Sequence, residues 1–419
     1  MRDGSETTFG AGYNVLPIWK DRMNGKTLVP TPNCDVVYAM SYLDLKKTGP
    51  LVVYAPPNAI GMFTDFFQRT LTDVGASGPD RAQGGLYLLL PPDFRGTVPE
   101  GYFAYRSQTY NVFLFFRFVP TQGADGPDTK EAVATAEQTR VYPWGSLEKD
   151  RPAMKFPNAS NIPINMMYPT DFSYWEKLKA FIDYEPVESL ALEVRGFLAA
   201  IGIIKGAAFS PDARSRAILT RAVETTPKMI YAMRVAGRAD GADRYYTDRQ
   251  WASVWAGANE LWVQPTYLDI DTRASFFQFG YSSAPAMVVD TINRGSKYPY
   301  TMRDSKGELL EGSSTYKLHL PAGIPAVLFW AVTIYNPADG TMPVTGQPFP
   351  GLGQRNKPPV NADGSVDIYF GPTKPQDISE RSWIQTLPGR AFLVALRLYG
   401  SSTAFFDQTW KPDDVVKLK

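Results

Sequence analysis

The sequence predicts a mainly β protein in which two β-sandwiches flank a helical segment near residues 170–235. Three observations carry that reading. Short apolar or alternating runs, punctuated by turn residues, dominate both ends of the chain. Between them the apolar period lengthens from two to that of a helix. Aromatics make up 13% of the 419 residues, and 34 glycines with 35 prolines supply breaks that long helices do not tolerate. At roughly 150 residues per domain, a chain of this length holds two or three domains.

Residues 1–30 read as a loop-rich entry anchored by Tyr13, Trp19 and Met23. Strands are predicted at 36–45, 51–55, 86–90, 102–105 and 111–119, separated by Gly49-Pro50, Pro56-Pro57-Asn58, Gly78-Pro79-Asp80 and Pro91-Pro92-Asp93. Five such runs in succession argue for a sandwich or barrel. Residues 121–130 form a polar loop and 131–140 a short helix. Asp171 caps a helix whose stripe is Tyr174, Trp175, Leu178, Phe181 and Ile182. Pro186 opens a second helix, with Leu190, Val194, Phe197, Leu198 and Ile201 facing inward. Ser210-Pro211-Asp212 starts a third, carrying Ile218, Leu219 and Ala222.

Aromatic runs return from Tyr245, and a β pattern covers 276 to the end, clearest at 316–320, 327–335, 366–370 and 391–399. In 316–320, Tyr316, Leu318 and Leu320 share one face, and Lys317 and His319 the other. The run 327–335 is apolar on both faces, so Trp330 is expected to be buried. The domain division expected is 1–160, 161–235 and 236–419.

Composition excludes much. Lys and Arg total 43 against 42 Asp and Glu, so neither nucleic acid nor an anionic membrane is an expected partner. No window reaches the about 18 consecutive apolar residues of a membrane span. Cys34 is the only cysteine, which rules out an intrachain disulfide and a cysteine-based zinc site. His319 is the only histidine, so a histidine-rich metal centre is excluded and a Ser-His-Asp triad would have to use it. With Lys317 beside it, His319 reads as a hydrogen-bonded structural residue. No Gly-x-Ser-x-Gly elbow, Walker loop or His-Glu-x-x-His helix is present. No cofactor or metal is expected. The first residues carry no apolar core of signal-peptide length, so the chain reads as cytoplasmic, or periplasmic if a leader is missing.

The strongest polar constellation lies near the start. Asn33 and Asp35 share a face if their run is extended, with Tyr38 close by. Asp65, Arg69 and Asp73 recur at a four-residue spacing, and Asp80-Arg81 follow in a glycine-bounded loop. Paired carboxylates flanked by guanidiniums suit general acid–base work on a small polyhydroxyl or glycoside-like ligand, a hydrolase or lyase. In that reading Asp35 and Asp73 are the catalytic pair, with Asp35 the protonated member. Asn33, Tyr38, Arg69 and Arg81 bind substrate. The competing reading is an ion-pair network that fixes the turns. Phe276, Phe277, Phe279, Tyr281, Tyr298, Tyr300 and Trp330 form either a stacking platform, with Tyr298 and Trp330 on the substrate, or core. A non-catalytic scaffold or binding module is the other function class.

Several segments carry a resemblance. Thr31-Pro-Asn-Cys-Asp-Val-Val-Tyr38, Asp44-Leu45, Gly49-Pro50, Gly78-Pro-Asp-Arg81, Gly84-Gly85-Leu-Tyr87 and Leu90-Pro-Pro-Asp93 resemble the family known as domain of unknown function 1254. Thr315-Tyr-Lys-Leu-His-Leu320, Phe329-Trp330, Trp383-Ile-Gln-Thr386, Arg397-Leu-Tyr399 and Trp410-Lys-Pro412 are similar to domain of unknown function 1214. Two departures stand out: Asn336-Pro-Ala-Asp-Gly-Thr341 replaces an acidic residue and a Thr-Arg-Ser triplet, and Arg381-Ser-Trp383 lacks the usual Asn. The resemblance implies two jelly-roll-like β-sandwiches held by a helical connector, capsid-like in outline, and a homo-oligomer. It also implies a leader and first helices that this sequence does not show. It implies no activity.

Overall fold

The computed structural model describes residues 1–255 and 259–418. Two β-sandwiches are present, with helices between them in sequence, so the mainly β fold with a helical middle holds. In the first, one sheet orders its strands Val37–Asp44, Asn111–Phe118, Ile60–Asp65 and Thr70–Val74, all antiparallel. Its partner sheet orders Arg140–Pro143, Leu51–Ala55, Gly85–Leu90 and Phe103–Arg106, closing on a parallel pair. Side chains alternate in Asn111–Phe118. Val112, Leu114, Phe116 and Phe118 fill the sandwich interior, while Phe113 and Phe115 point out of it.

The second sandwich pairs one sheet of Ser296–Lys297, Leu393–Ser401, Ala326–Tyr335 and Gly351–Gly353 with another of Trp383–Gln385, Val366–Gly371, Tyr316–Leu320 and Val416–Lys417. Tyr316–Leu320 and Ala326–Tyr335 are therefore not partners. The Pro321–Pro325 turn carries the chain from one sheet across to the other. Tyr316, Leu318 and Leu320 face the interior, as their alternation predicts.

The residues on both faces of 327–335 are apolar and so predicted to be buried, Trp330 among them. From Phe329 on they are, but Val327 and Leu328 are 58% and 55% exposed. The register shifts between Ala326 and Phe329, so this end of the strand bulges away from its cover.

Both faces of two inner sheets are buried because the sandwiches meet face to face. Tyr38, Met40, Tyr42, Met62, Phe113 and Phe115 from the first share one apolar cluster with Phe329, Tyr335, Leu393, Ala395 and Tyr399 from the second.

The helices between are Ser173–Tyr184, Leu192–Ala200 and Ala213–Ala236. Asp171 accepts from the Ser173 amide, and Asp212 caps the third helix through the Ser215 amide. Pro186 precedes a short 3-10 turn, Val187–Ser189, and the second helix proper starts later. Its expected inward stripe is corrected at two positions: Val194 and Phe197 are exposed, because only Leu190, Leu198 and Ile201 find partial cover. The aromatics at 276–279 also differ from expectation. They lie on a helix, Ile270–Phe279, capped by Asp269 through the Thr272 amide, and not on a strand. Among the described residues no helix is long and apolar enough to cross a membrane.

Candidate anion site between the sandwiches

The loop at 31–35 positions the site. Leading into the first sandwich's inner sheet at Val37, it lies against the second sandwich and is tied there from several sides. The Thr31 amide donates to the Gly340 carbonyl at 2.7 Å, and the Thr31 hydroxyl to the Phe279 carbonyl at 3.0 Å. Tyr335 donates to the Pro32 carbonyl, while Arg397 Nη2 reaches the Thr31 and Pro32 carbonyls at 3.2 and 3.4 Å. Gly340 has φ +75°, and a Cβ there would meet the Phe279 carbonyl oxygen at 2.5 Å, so the close approach of loop and helix end needs glycine. The residues that resemble the first family thus dock on the Arg397-Leu-Tyr399 stretch that resembles the second.

Behind this loop, between the two inner sheets, is a cavity of about 90 Å³. Arg117 and Arg397 line it from opposite sandwiches, and both are at least nine-tenths buried. Arg117 Nη1 donates to the Tyr298 hydroxyl at 3.4 Å, and its Nε has no partner; Arg397 Nη1 has none either. Guanidiniums stay protonated, so both bring positive charge into the interior. Tyrosines complete the wall: Tyr38, Tyr281, Tyr298, Tyr300, Tyr335 and Tyr399. The Tyr38 hydroxyl accepts from the Asn33 amide at 3.0 Å, and the Tyr399 hydroxyl accepts from the Asn33 side-chain amide. Burial raises Tyr38, Tyr281 and Tyr399 above the ordinary phenol range, so each keeps its proton and can donate. Among the described residues, no Asp or Glu lines the cavity. The result is a site rich in donors and doubly positive, whose nearest carboxylates, Asp35 by Arg397 and Asp73 by Arg117, stand outside its lining.

Asn33, Tyr38 and Tyr298, named from sequence, line this cavity. Asp35 and Asp73 do not. Asp35 is buried near the charges of Arg22, Arg397 and Arg355, with Oδ2 unpaired; burial raises its carboxyl and the three arginines oppose the rise. Asp73 sits opposite Met62, in an edge strand of the inner sheet, and Oδ2 accepts from the Ala286 amide at 3.0 Å. Burial raises its carboxyl to about 6, against the pull of Arg117.

Asp65, Arg69 and Asp73 fall on a hairpin and not on one helix or strand. Asp65 closes its turn by accepting from the Phe67 and Arg69 amides at 2.9 Å and pairing with Arg69 Nε at 2.5 Å. Arg81 is exposed in a turn with positive φ, while Asp80 pins that turn through Gly75 and Tyr87. Trp330 points into the second sandwich's interior, away from the cavity, because alternation gives the cavity side to Phe329. His319 pairs with Asp367 at 2.7 Å on the far sheet.

Arg117 and Arg397 were not singled out from sequence. Their signal is there: each is the lone charge in a strand that is apolar on both faces apart from one polar end residue, Asn111–Phe118 and Leu393–Ser401. A charge in such a strand is buried wherever it points.

Residues 13–143 match the family model described as "Protein of unknown function (DUF1254)", and residues 295–403 that described as "Protein of unknown function (DUF1214)". Among solved structures, the VPA0106 protein from Vibrio parahaemolyticus is similar to this chain at 19% identity, covering 93% of this chain and 90% of that one, with a TM-score of 0.55. An uncharacterized protein from Burkholderia cenocepacia is 13% identical over 93% of this chain and 78% of its own, with a TM-score of 0.42. No curated protein matches.

Proposed function

For a chain that carries a DUF1254 region followed by a DUF1214 region, we propose a binding function: the cavity between the two regions takes a small organic anion. One observation carries this reading. Two buried guanidiniums from different sandwiches, each with one N–H group lacking a partner, line a cavity walled by tyrosines, and among the described residues no carboxylate belongs to that lining. An unpaired buried charge costs the folded protein stability, and an anion placed between Arg117 and Arg397 would offset that cost. Guanidinium forks match carboxylate geometry, and the tyrosine rings accept the apolar body attached to it.

The test is a melting-temperature and calorimetric comparison of benzoate with its neutral analogue benzamide. Benzoate should raise the melting temperature and benzamide should not. Arg117→Met should weaken benzoate binding by roughly tenfold to a hundredfold, the loss of one charge-assisted contact. Arg117→Lys should fall between the two. Equal responses to acid and amide, or full benzoate affinity in folded Arg117→Met, would refute the reading.

A second reading keeps catalysis, with carboxylates acting on a small polyhydroxyl substrate. The observation that favours it is the Asp73 carboxyl at about 6, where a group can both give and take a proton near neutrality. Turnover in a polyol and glycoside screen, lost in Asp73→Asn and changing with a pH limb near 6, would support it; turnover indifferent to Asp73→Asn would remove it.

A further inference from the structure

Resting on the binding reading, we propose that the cavity is the head compartment of a two-chamber site, and that its ligand is an elongated amphipathic anion: a carboxylate on an alkyl or aryl-alkyl chain. The inner cavity is small, with room for an acidic head and few carbons beyond it. A second, wider cleft of about 730 Å³ lies next to it, large enough for a drug-sized molecule. Gly280 and Tyr281 line both. They are the lining residues the two chambers share.

The two chambers differ in chemistry as the two ends of such a ligand do. The inner one has Arg117 and Arg397. The outer one presents Tyr42, Phe66, Met166, Leu178, Phe181 and Phe277. Its charged side chains are already engaged: Lys177 pairs with Asp3 at 2.5 Å, and Arg2 stacks over Phe66 and Phe181 at 5.1 and 5.4 Å from the ring centroids. Methionines on that wall can adapt to an apolar chain without a fixed shape.

Tyr281 is suited to the partition. It follows the helix Ile270–Phe279 in a segment with no strand partner, so no ladder holds its backbone. Its ring meets Phe115 edge-on at 5.8 Å, and its hydroxyl lies within hydrogen-bonding reach of Tyr38. Turning the ring out of that contact would join the chambers. Tyr281 then sets which ligands extend past the head compartment.

The experiment titrates the protein with straight-chain carboxylates from butanoate to decanoate, and with the alcohols of matching length, by calorimetry. Once the chain is long enough to pass Tyr281, each further methylene should tighten binding about fourfold, the effect of burying one CH₂. The alcohols should bind far more weakly at every length. Tyr281→Ala should bring the onset of that gain to shorter chains, and Leu178→Glu, on the cleft wall, should weaken decanoate binding. Melting temperatures of both variants establish that they are folded. If short carboxylates bind through Arg117 but affinity stays flat with length, or if folded Tyr281→Ala leaves the onset unmoved, the two-chamber proposal is overturned while the anion reading stands. If no carboxylate of any length binds, the anion reading itself is overturned.

Discussion

Between its own two sheets the first sandwich is filled by Leu, Val, Ile, Ala and Phe, and its buried cluster holds a single tyrosine, Tyr87, and no methionine. The layer between the two sandwiches holds six methionines and five tyrosines among its buried members, with Arg117 and Arg397 at its cavity. Both layers cover the same strands, one from each face. The first is built of side chains with few, stiff rotamers that fix one shape. The second uses adaptable thioethers and rings with polar tips, which tolerate a change of contents. One layer holds the fold together, and the other is where something can be held.

The largest effect should come from the stiff layer. Phe116→Ala should cost about 3–5 kcal/mol in denaturant unfolding, the range for truncating a large core aromatic. Met62→Leu, across the same sheet but facing the other layer, should cost less than about 1.5 kcal/mol. Similar losses at both positions would erase the distinction.

A second measurement concerns charge in the adaptable layer. Asp73 has a folded-state pKa near 6, raised by burial from 3.8. The folded state therefore holds this proton more tightly than the unfolded state. The stability it contributes is present below about 3.8 and is lost as pH rises through about 6. That shift corresponds to about 3 kcal/mol at most. Asp73→Asn removes the titration and keeps an acceptor for the Ala286 amide. Relative to the parent, its melting temperature should rise between pH 4 and pH 7 and level off above. A constant difference across that range would show that burial does not raise the Asp73 carboxyl.

The smallest effect should come from the far, solvent-facing sheet. His319 and Asp367 are both partly exposed, and His319→Ala should cost about 0–1 kcal/mol by urea unfolding. A loss above about 2 kcal/mol would give the sole histidine a larger role than its surroundings support.

The sequence by itself determined the secondary structure where the apolar period was clean. Tyr316–Leu320 alternates because one face is buried and the other is wet, and Asp212 caps its helix because a carboxylate satisfies free amides there. It also determined what the chain lacks the residues to build, a histidine-rich metal centre or a disulfide. The Ile270–Phe279 helix escaped that reading because consecutive aromatics suit a strand as well as a buried helix, and only Asp269 and Gly280 mark its ends. The site was decided by tertiary structure. Asn33, Tyr38 and Tyr298 could be named locally, but a local four-residue spacing drew attention to Asp65, Arg69 and Asp73, which a hairpin turn spends on its own geometry. Arg117 and Arg397 lie 280 positions apart in the chain. Each reads alone as an isolated charge in an apolar strand, and only the packing of one sandwich against the other turns two such anomalies into one pocket. Spacing along a chain reports which residues share a face; which faces meet is settled by the long-range burial that no local pattern encodes.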